Sequence, residues 1–188
     1  MKIAITGGMG CGKSTVLNVL SELLPHYKFG SYDAEVKRLY AHDAVFKSTL
    51  RLAFGTDVKS EIAKMVFSDP EKMQFLFNLT ERPLRAFMEK VTSNLNCVLE
   101  APMLFQIPGA PQLFDKVIAV WCDRETQRAR IKARDGLPEE MIDRKLAVQF
   151  SPDEIALRSD FVIDTSDGAV DVAEQLSVAL RVAELKTV

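Results

Sequence analysis

The stretch Gly7-Gly8-Met9-Gly10-Cys11-Gly12-Lys13-Ser14-Thr15 satisfies G-x-x-x-x-G-K-[ST], and its flanks decide what it can belong to. Before it, Lys2-Ile3-Ala4-Ile5-Thr6 reads as a short buried strand; after it, Val16, Leu17, Val19, Leu20, Leu23 and Leu24 recur at helical spacing. A strand, a glycine turn and a helix in this order make a phosphate cradle. Glycines let the backbone wrap closely around an anion so that consecutive N–H groups point inward, and the helix adds its positive N-terminal end. Lys13 is placed to reach the β- and γ-phosphates, the Ser14 hydroxyl to hold Mg²⁺, and Gly8, Gly10, Cys11, Gly12 and Thr15 to complete the cradle. The competing reading is a glycine-rich turn that only joins strand to helix. Because both flanking elements are present, the motif implies a nucleoside-triphosphate site.

A chain of 188 residues, 47% of them hydrophobic, can bury a full core, so one domain is expected, with room for a smaller mobile subdomain. The net charge of −2 argues against broad attraction to nucleic acid or a membrane surface. No apolar run approaches the ~20 residues that span a bilayer. A strand starting at Lys2 leaves no room for a signal peptide. Cys11, Cys97 and Cys122 are odd in number and share no metal-like spacing. A reducing cytoplasm suits them, because Cys11 in an exposed phosphate loop is an oxidation liability. His26 and His42 are too few for a zinc site and read as surface residues.

Further along, Lys28–Tyr32 reads as a strand, closed by Asp33, and a helical region runs from about Ala34 to Asn94, punctuated by Gly55, Asp69-Pro70 and Pro83. Strands are predicted at 97–99, 117–121 and 161–163, and helices near 124–133, 139–149 and 170–185. Short apolar strands alternating with helices imply a parallel sheet covered on both faces. Ligands of such sheets sit beyond the carboxyl ends of the strands, which gathers the glycine loop, Asp33, Glu100 and the segment after Trp121 on one rim.

Asp33 on that rim is placed either to accept a proton from an attacking hydroxyl or hold a metal-bound water, or simply to cap a helix. Glu100 is either an acidic metal partner or an ordinary strand-end carboxylate. Laid on a helix, Gln127, Arg130 and Arg134 share one face, and Arg124, Arg128 and Lys132 share another. The first set ends at Asp135-Gly136 and reads as a lid whose guanidinium forks bind phosphate oxygens. The second reads as a solvated charged face.

Together these residues resemble the dephospho-coenzyme A kinase family over nearly the whole chain. The resemblance rests on Thr6–Thr15, Tyr32-Asp33-Ala34-Glu35, Arg82-Pro83 and Glu100-Ala101-Pro102-Met103-Leu104-Phe105. It continues through Gln127-x-x-Arg130-x-x-x-Arg134-Asp135-Gly136, Gln149-Phe150-Ser151 and Ser159-Asp160-Phe161-Val162-Ile163-Asp164. It implies a P-loop three-layer α/β/α fold with a five-stranded parallel sheet and a nucleotide-monophosphate-kinase-like layout. The core would span about 1–33 and 95–188, a helical acceptor-binding region 34–94, and a lid 124–150. It also implies transfer of the ATP γ-phosphate, with Mg²⁺, to the ribose 3′-hydroxyl of dephospho-CoA, in a cytoplasmic monomer or weak oligomer. Lys13, Asp33, Arg130 and Arg134 would carry the chemistry. Ser14, with Asp33 and Glu100 as further candidates, would serve the metal. Asp33, Arg38, Arg82 and Glu100 would meet the acceptor, and 164–168 would lie near the adenine, Asp164 included.

The donor-side stretches keep the family pattern apart from Thr165, where asparagine is usual. The acceptor side is looser: Glu35 replaces an aspartate, Arg38 comes one residue early, Arg82 replaces a histidine before Pro83, and Glu100 and Gln106 replace an aspartate and a glutamate. Both drift and a changed acceptor produce such a pattern. With Arg82 and Arg85 added, a deoxynucleoside monophosphate becomes the alternative acceptor. A nucleotide switch without turnover is disfavoured by the Gln127-Arg130-Arg134 face, since a lid serves to exclude water.

Overall fold

The computed structural model describes residues 1–185, and only the backbone of Phe67 and Leu185. Its centre is a five-stranded sheet in the order β2-β3-β1-β4-β5. The strands are β1 (Lys2–Thr6), β2 (Lys28–Ser31), β3 (Cys97–Glu100), β4 (Lys116–Trp121) and β5 (Phe161–Asp164). β1 pairs in parallel with both β3 and β4, and β4 pairs in parallel with β5. The inner strands are continuous apolar runs because both of their faces are covered, as parallel sheets require.

Register sorts the side chains. Ile3, Ile5, Val98, Ile118, Val120 and Ile163 join one buried cluster with Val16 and Leu20 of α1 (Lys13–Leu23) and Leu176 and Ala179 of α9 (Val172–Leu185). That helix pair therefore covers one face of the sheet. Between β4 and β5 run α6 (Arg124–Asp135), α7 (Glu139–Ala147) and α8 (Pro152–Leu157). Asp123 caps α6 by accepting from the Thr126 N–H, and Gly136 ends it in a left-handed turn. The short α8 was not expected from the sequence. It is nucleated by a Ser151/Glu154 capping box, and Trp121 at the end of β4 donates to Asp153 across 2.7 Å.

The chain divides into two compact units, Ser31–Lys90 and the remainder. The smaller unit holds α2 (Tyr32–His42), α3 (Ala44–Phe54), α4 (Lys59–Phe67) and α5 (Pro70–Thr92, of which the last two residues lie beyond the boundary). Leu39, Phe46, Leu50, Phe54, Ile62 and Val66 form a core of their own within it. One sequence expectation fails here, and one helix break is new. The expected break at Pro83 is absent: Pro83 lies inside α5, where burial of Leu84 and Met88 outweighs the ~3 kcal/mol that an interior proline costs. The break between α2 and α3 falls instead at Asp43, whose carboxylate accepts from the Phe46 N–H and starts a new helix. Residues 186–188 of the expected core segment lie outside the described residues.

Leu20→Ala, which empties a fully buried position between α1 and the sheet, is expected to cost about 2–5 kcal/mol of unfolding free energy in a urea titration. Leu52→Ala, at a position 89% exposed, is expected to stay within about 0.5 kcal/mol.

Candidate active site

The loop between β1 and α1 is shaped by how closely its neighbours approach. A Cβ at Gly7 would stand 2.5 Å from the Val120 carbonyl oxygen, and one at Gly8 would stand 2.7 Å from Gln127 Nε2. The first contact is with fixed backbone and excludes a side chain at Gly7, whereas a Cβ at Gly8 would push the Gln127 amide out of place. Gly12, in the left-handed region at φ 83°, turns the chain into α1. Lys13 Nζ donates to the carbonyls of Gly7 and Gly8, both at 3.0 Å, which fixes a cation at the loop's mouth. Ser14 and Thr15 stand exposed in the first turn of α1, and the helix adds its positive end there.

The loop's deeper partners come from far along the chain. Gln127, 3% exposed, donates to the Met9 carbonyl at 2.8 Å, and Gln149 accepts from the Met9 N–H at 3.1 Å. Thr165, one residue past β5, contacts the Cys11 carbonyl at 2.9 Å and the Trp121 carbonyl at 3.1 Å. Arg130 donates to the Thr165 hydroxyl at 3.1 Å and the Thr165 carbonyl at 2.6 Å, and approaches Asp167 at 3.4 Å. Gly12, Thr15, Arg130, Asp164, Thr165 and Ser166 line one groove of about 410 Å³ beside the loop. Asp164 is held in place by accepting from the Ser166 N–H at 2.8 Å.

Several expectations change. Gln127 is not on a lid face; it is buried beneath the loop, so that face reduces to Arg130 and Arg134. Arg134 does not line the groove and forks onto its neighbour Asp135 at 2.7 and 3.0 Å, holding that carboxyl below its usual pKa. The solvated face of α6 also makes specific pairs: Arg128 with Glu139 and Asp143, and Lys132 with Glu139 at 3.0 Å, so it fastens α6 to α7. Cys11 is fully buried rather than exposed, which removes the oxidation argument. A hydrogen bond from the Cys122 thiol lowers the Cys11 pKa, burial opposes this, and Lys13 adds to the lowering; the same bond raises Cys122.

On the sheet rim, Glu100 is half-buried, and its register opposite Ile5 puts it on the face that α1 covers. In the smaller unit, Asp33 neither closes β2 nor caps α2. Ser31 is the N-cap, and Asp33 stands exposed in the first helical turn, where the dipole favours a carboxylate. Arg38 grips Glu35 through Nε at 3.0 and 2.9 Å and through a terminal nitrogen at 2.7 Å. Arg82 is exposed on α5, and Arg85 pairs with Glu89 at 3.3 Å.

Sequence reasoning missed Gln149 and the binding role of Gln127. Thr165 drew notice only as a departure. The Gln149-Phe150-Ser151 stretch was the one signal, and it carried no role. Thr165→Val is expected to weaken ATP binding about fivefold to tenfold in a calorimetric titration, by unseating Arg130 and the Cys11 carbonyl, with Thr165→Ser close to wild type.

Comparison with known proteins agrees with this geometry. The dephospho-CoA kinase family pattern matches residues 1–171. A dephospho-CoA kinase of Rhodopseudomonas palustris (strain ATCC BAA-98 / CGA009) is 32% identical over 96% of this chain and 94% of its own. One from Aquifex aeolicus is 30% identical over 93% of each. The crystal structure of TT1252 from Thermus thermophilus superposes with a TM-score of 0.79 at 26% identity, covering 97% of this chain and 96% of that one. The dephospho-CoA kinase of Campylobacter jejuni shares the fold, with a TM-score of 0.68 at 23% identity over 99% of this chain and 100% of its own. A shikimate kinase from Acinetobacter baumannii shares it more distantly, with a TM-score of 0.55 at 18% identity over 99% of this chain and 93% of its own. A P-loop α/β/α kinase core and a family match along nearly all of its length mean that this chain belongs to the dephospho-CoA kinase family.

Proposed function

We propose that the chain transfers the γ-phosphoryl group of ATP to the ribose 3′-hydroxyl of dephospho-CoA, giving coenzyme A. The observation that carries this is the loop with Lys13 at its mouth and the groove of Gly12, Thr15, Arg130 and Asp164 beside it, in a chain of this family. Phosphoryl transfer asks a protein mainly for positioning and for charge stabilisation. The loop N–H groups and the start of α1 bind the donor's phosphates. Lys13 leaves two neutral carbonyls for the phosphate oxygens, an exchange that favours the charged partner. Arg130 meets the donor from the groove. Arg134, at the end of α6, exchanges its exposed pair with Asp135, worth under about 1 kcal/mol, for phosphate. The groove beyond Gly12 takes the nucleoside, with 164–168 nearest the base.

Among the described residues no three His, Cys, Asp or Glu side chains cluster as a ready-made metal site. Mg²⁺ does not require such a cluster, being usually held by substrate phosphates with one or two protein oxygens. Ser14, in the first turn of α1, and Glu100, on the sheet face that α1 covers, would supply such oxygens, with Asp33 as a further candidate. Bound there, Mg²⁺ would neutralise charge on the transferring phosphates. Asp33 receives the proton of the attacking hydroxyl, and Arg38, Arg82 and Glu100 meet the acceptor. The helical segment 34–94 serves as the acceptor-binding region of a single kinase domain. The deoxynucleoside monophosphate reading is not favoured by the two sequence relatives above, both named dephospho-CoA kinase.

Cytoplasmic residence belongs to the same reading, supported by the odd set of free cysteines Cys11, Cys97 and Cys122. No helix among the described residues is long and apolar enough to cross a membrane. A near-neutral net charge of −2 supports small molecules rather than nucleic acid as partners, and we place the protein as a monomer or weak oligomer.

A coupled ADP-release assay with ATP and Mg²⁺ is expected to show strong preference for dephospho-CoA over a panel of deoxynucleoside monophosphates; the reverse preference overturns the assignment. Lys13→Ala is expected to lower turnover about a hundredfold or more, and an unchanged rate refutes its placement. Asp33→Asn is expected to slow transfer while leaving ATP affinity, measured by calorimetry, within about twofold. A collapse of ATP binding in that variant would assign Asp33 to the metal or the donor instead.

A further inference from the structure

Met9 stands at the crest of the phosphate loop, outside any helix or strand, so its peptide groups find no partner in regular structure. Both are nonetheless engaged. The N–H donates to Gln149 Oε1 at 3.1 Å, and the carbonyl accepts from Gln127 Nε2 at 2.8 Å. The two side chains reach it from positions 140 and 118 residues along the chain. The N–H needs an acceptor and the carbonyl a donor; each amide carries both, and the backbone groups fix which end of each amide points where.

The surroundings make this a built clamp. Gln127 is 3% exposed, and its Nε2 also lies 3.6 Å from Cys11 Sγ, so it grips the loop at a second place. Gly10, at φ 82°, lets the loop lie flat on α6: a Cβ there would come within 2.9 Å of both the Gln127 carbonyl oxygen and Ile131 Cγ1. Gln149 follows α7, and α7 is tied to α6 by Arg128 and Lys132. The α6–α7 segment thus holds the loop's crest from both sides. A loop rich in glycine is mobile unless its peptides are pinned, and the convergence of its N–H groups is what binds phosphate.

The geometry points to Gln127 and Gln149 as a pair of positioning residues that together orient the Met9 peptide and thereby preorganise the phosphate loop for the nucleotide donor. This rests on the ATP-dependent reading above. Neither side chain is assigned contact with substrate; both act through the loop. Gln149 is the sharper probe, because it is only half-buried and its loss leaves the core intact.

The test is a series at Gln149 read by ATP calorimetry, by steady-state kinetics and by thermal melting. Gln149→Ala is expected to weaken ATP binding and raise the KM for ATP about fivefold to tenfold, with the KM for dephospho-CoA and the melting temperature nearly unchanged. Gln149→Glu keeps an acceptor but brings a negative charge to the loop, and is expected to lose a further ~10-fold or more. Combined with Gln127→Ala, the Gln149→Ala effect is expected to shrink to under ~3-fold, because a peptide already released on one side has little order left to lose. Multiplicative effects, or a Gln149→Ala protein that binds ATP like wild type, whether or not it melts lower, overturn the clamp. If the Gln127 variant fails to fold, the alanine arm at Gln149 decides alone. Calorimetry reports on ATP without any acceptor, so failure of the clamp is distinguishable from failure of the dephospho-CoA assignment.

Discussion

Everything at the nucleotide site depends on the close approach of the β1–α1 loop to its neighbours. A side chain at Gly7 would collide with the Val120 carbonyl of β4, and one at Gly8 with the amide of Gln127 on α6. Because the loop lies directly on these elements, side chains from α6, from the end of β5 and from beyond α7 can reach its peptide groups. A bulkier loop would stand off the scaffold and lose them. The glycines therefore provide contact with the protein on one side as much as room for an anion on the other.

The same closeness organises the charge. Lys13 rests on two loop carbonyls, Arg130 on the Thr165 hydroxyl and carbonyl, and Arg134 on the exposed Asp135. These partners are neutral, or acidic and solvated, so each grip is modest and a phosphate oxygen can replace it at little cost. Arg130 is thereby held in a usable position by neutral groups and a solvated carboxylate, whereas disrupting a buried ion pair would cost several kcal/mol. Arg38 differs. Its fork is filled by the nearly buried Glu35, so in the smaller unit the charge is already compensated before any ligand arrives.

Legibility followed the range of the interactions. The strands were readable because parallel strands buried on both faces must be apolar runs, and 117–121 could be little else. The cradle was readable because its chemistry is local. Boundaries failed where a local signal met a tertiary one. Pro83 normally breaks a helix, yet the burial of Leu84 and Met88 carries α5 through it. The six residues of α8 show no period long enough to detect, and only the Ser-x-x-Glu cap betrays them. Arginine spacing on α6 separated two faces correctly, but it could not reveal that Gln127, placed with Arg130 and Arg134, turns inward.

By itself the sequence determined the strand–loop–helix cradle, the parallel α/β class and the family to which the chain belongs. Each rests on short stretches whose internal geometry the backbone imposes, the family on several of them spread from Thr6 to Asp164. Tertiary structure alone decided which side chains hold the loop: Gln127 and Gln149 on Met9, Thr165 on Cys11, Arg130 on Thr165. Those partners lie 118, 140, 154 and 35 residues apart. Sequence spacing carries no information about such meetings, because sheet order and helix packing bring them together only after the chain has folded.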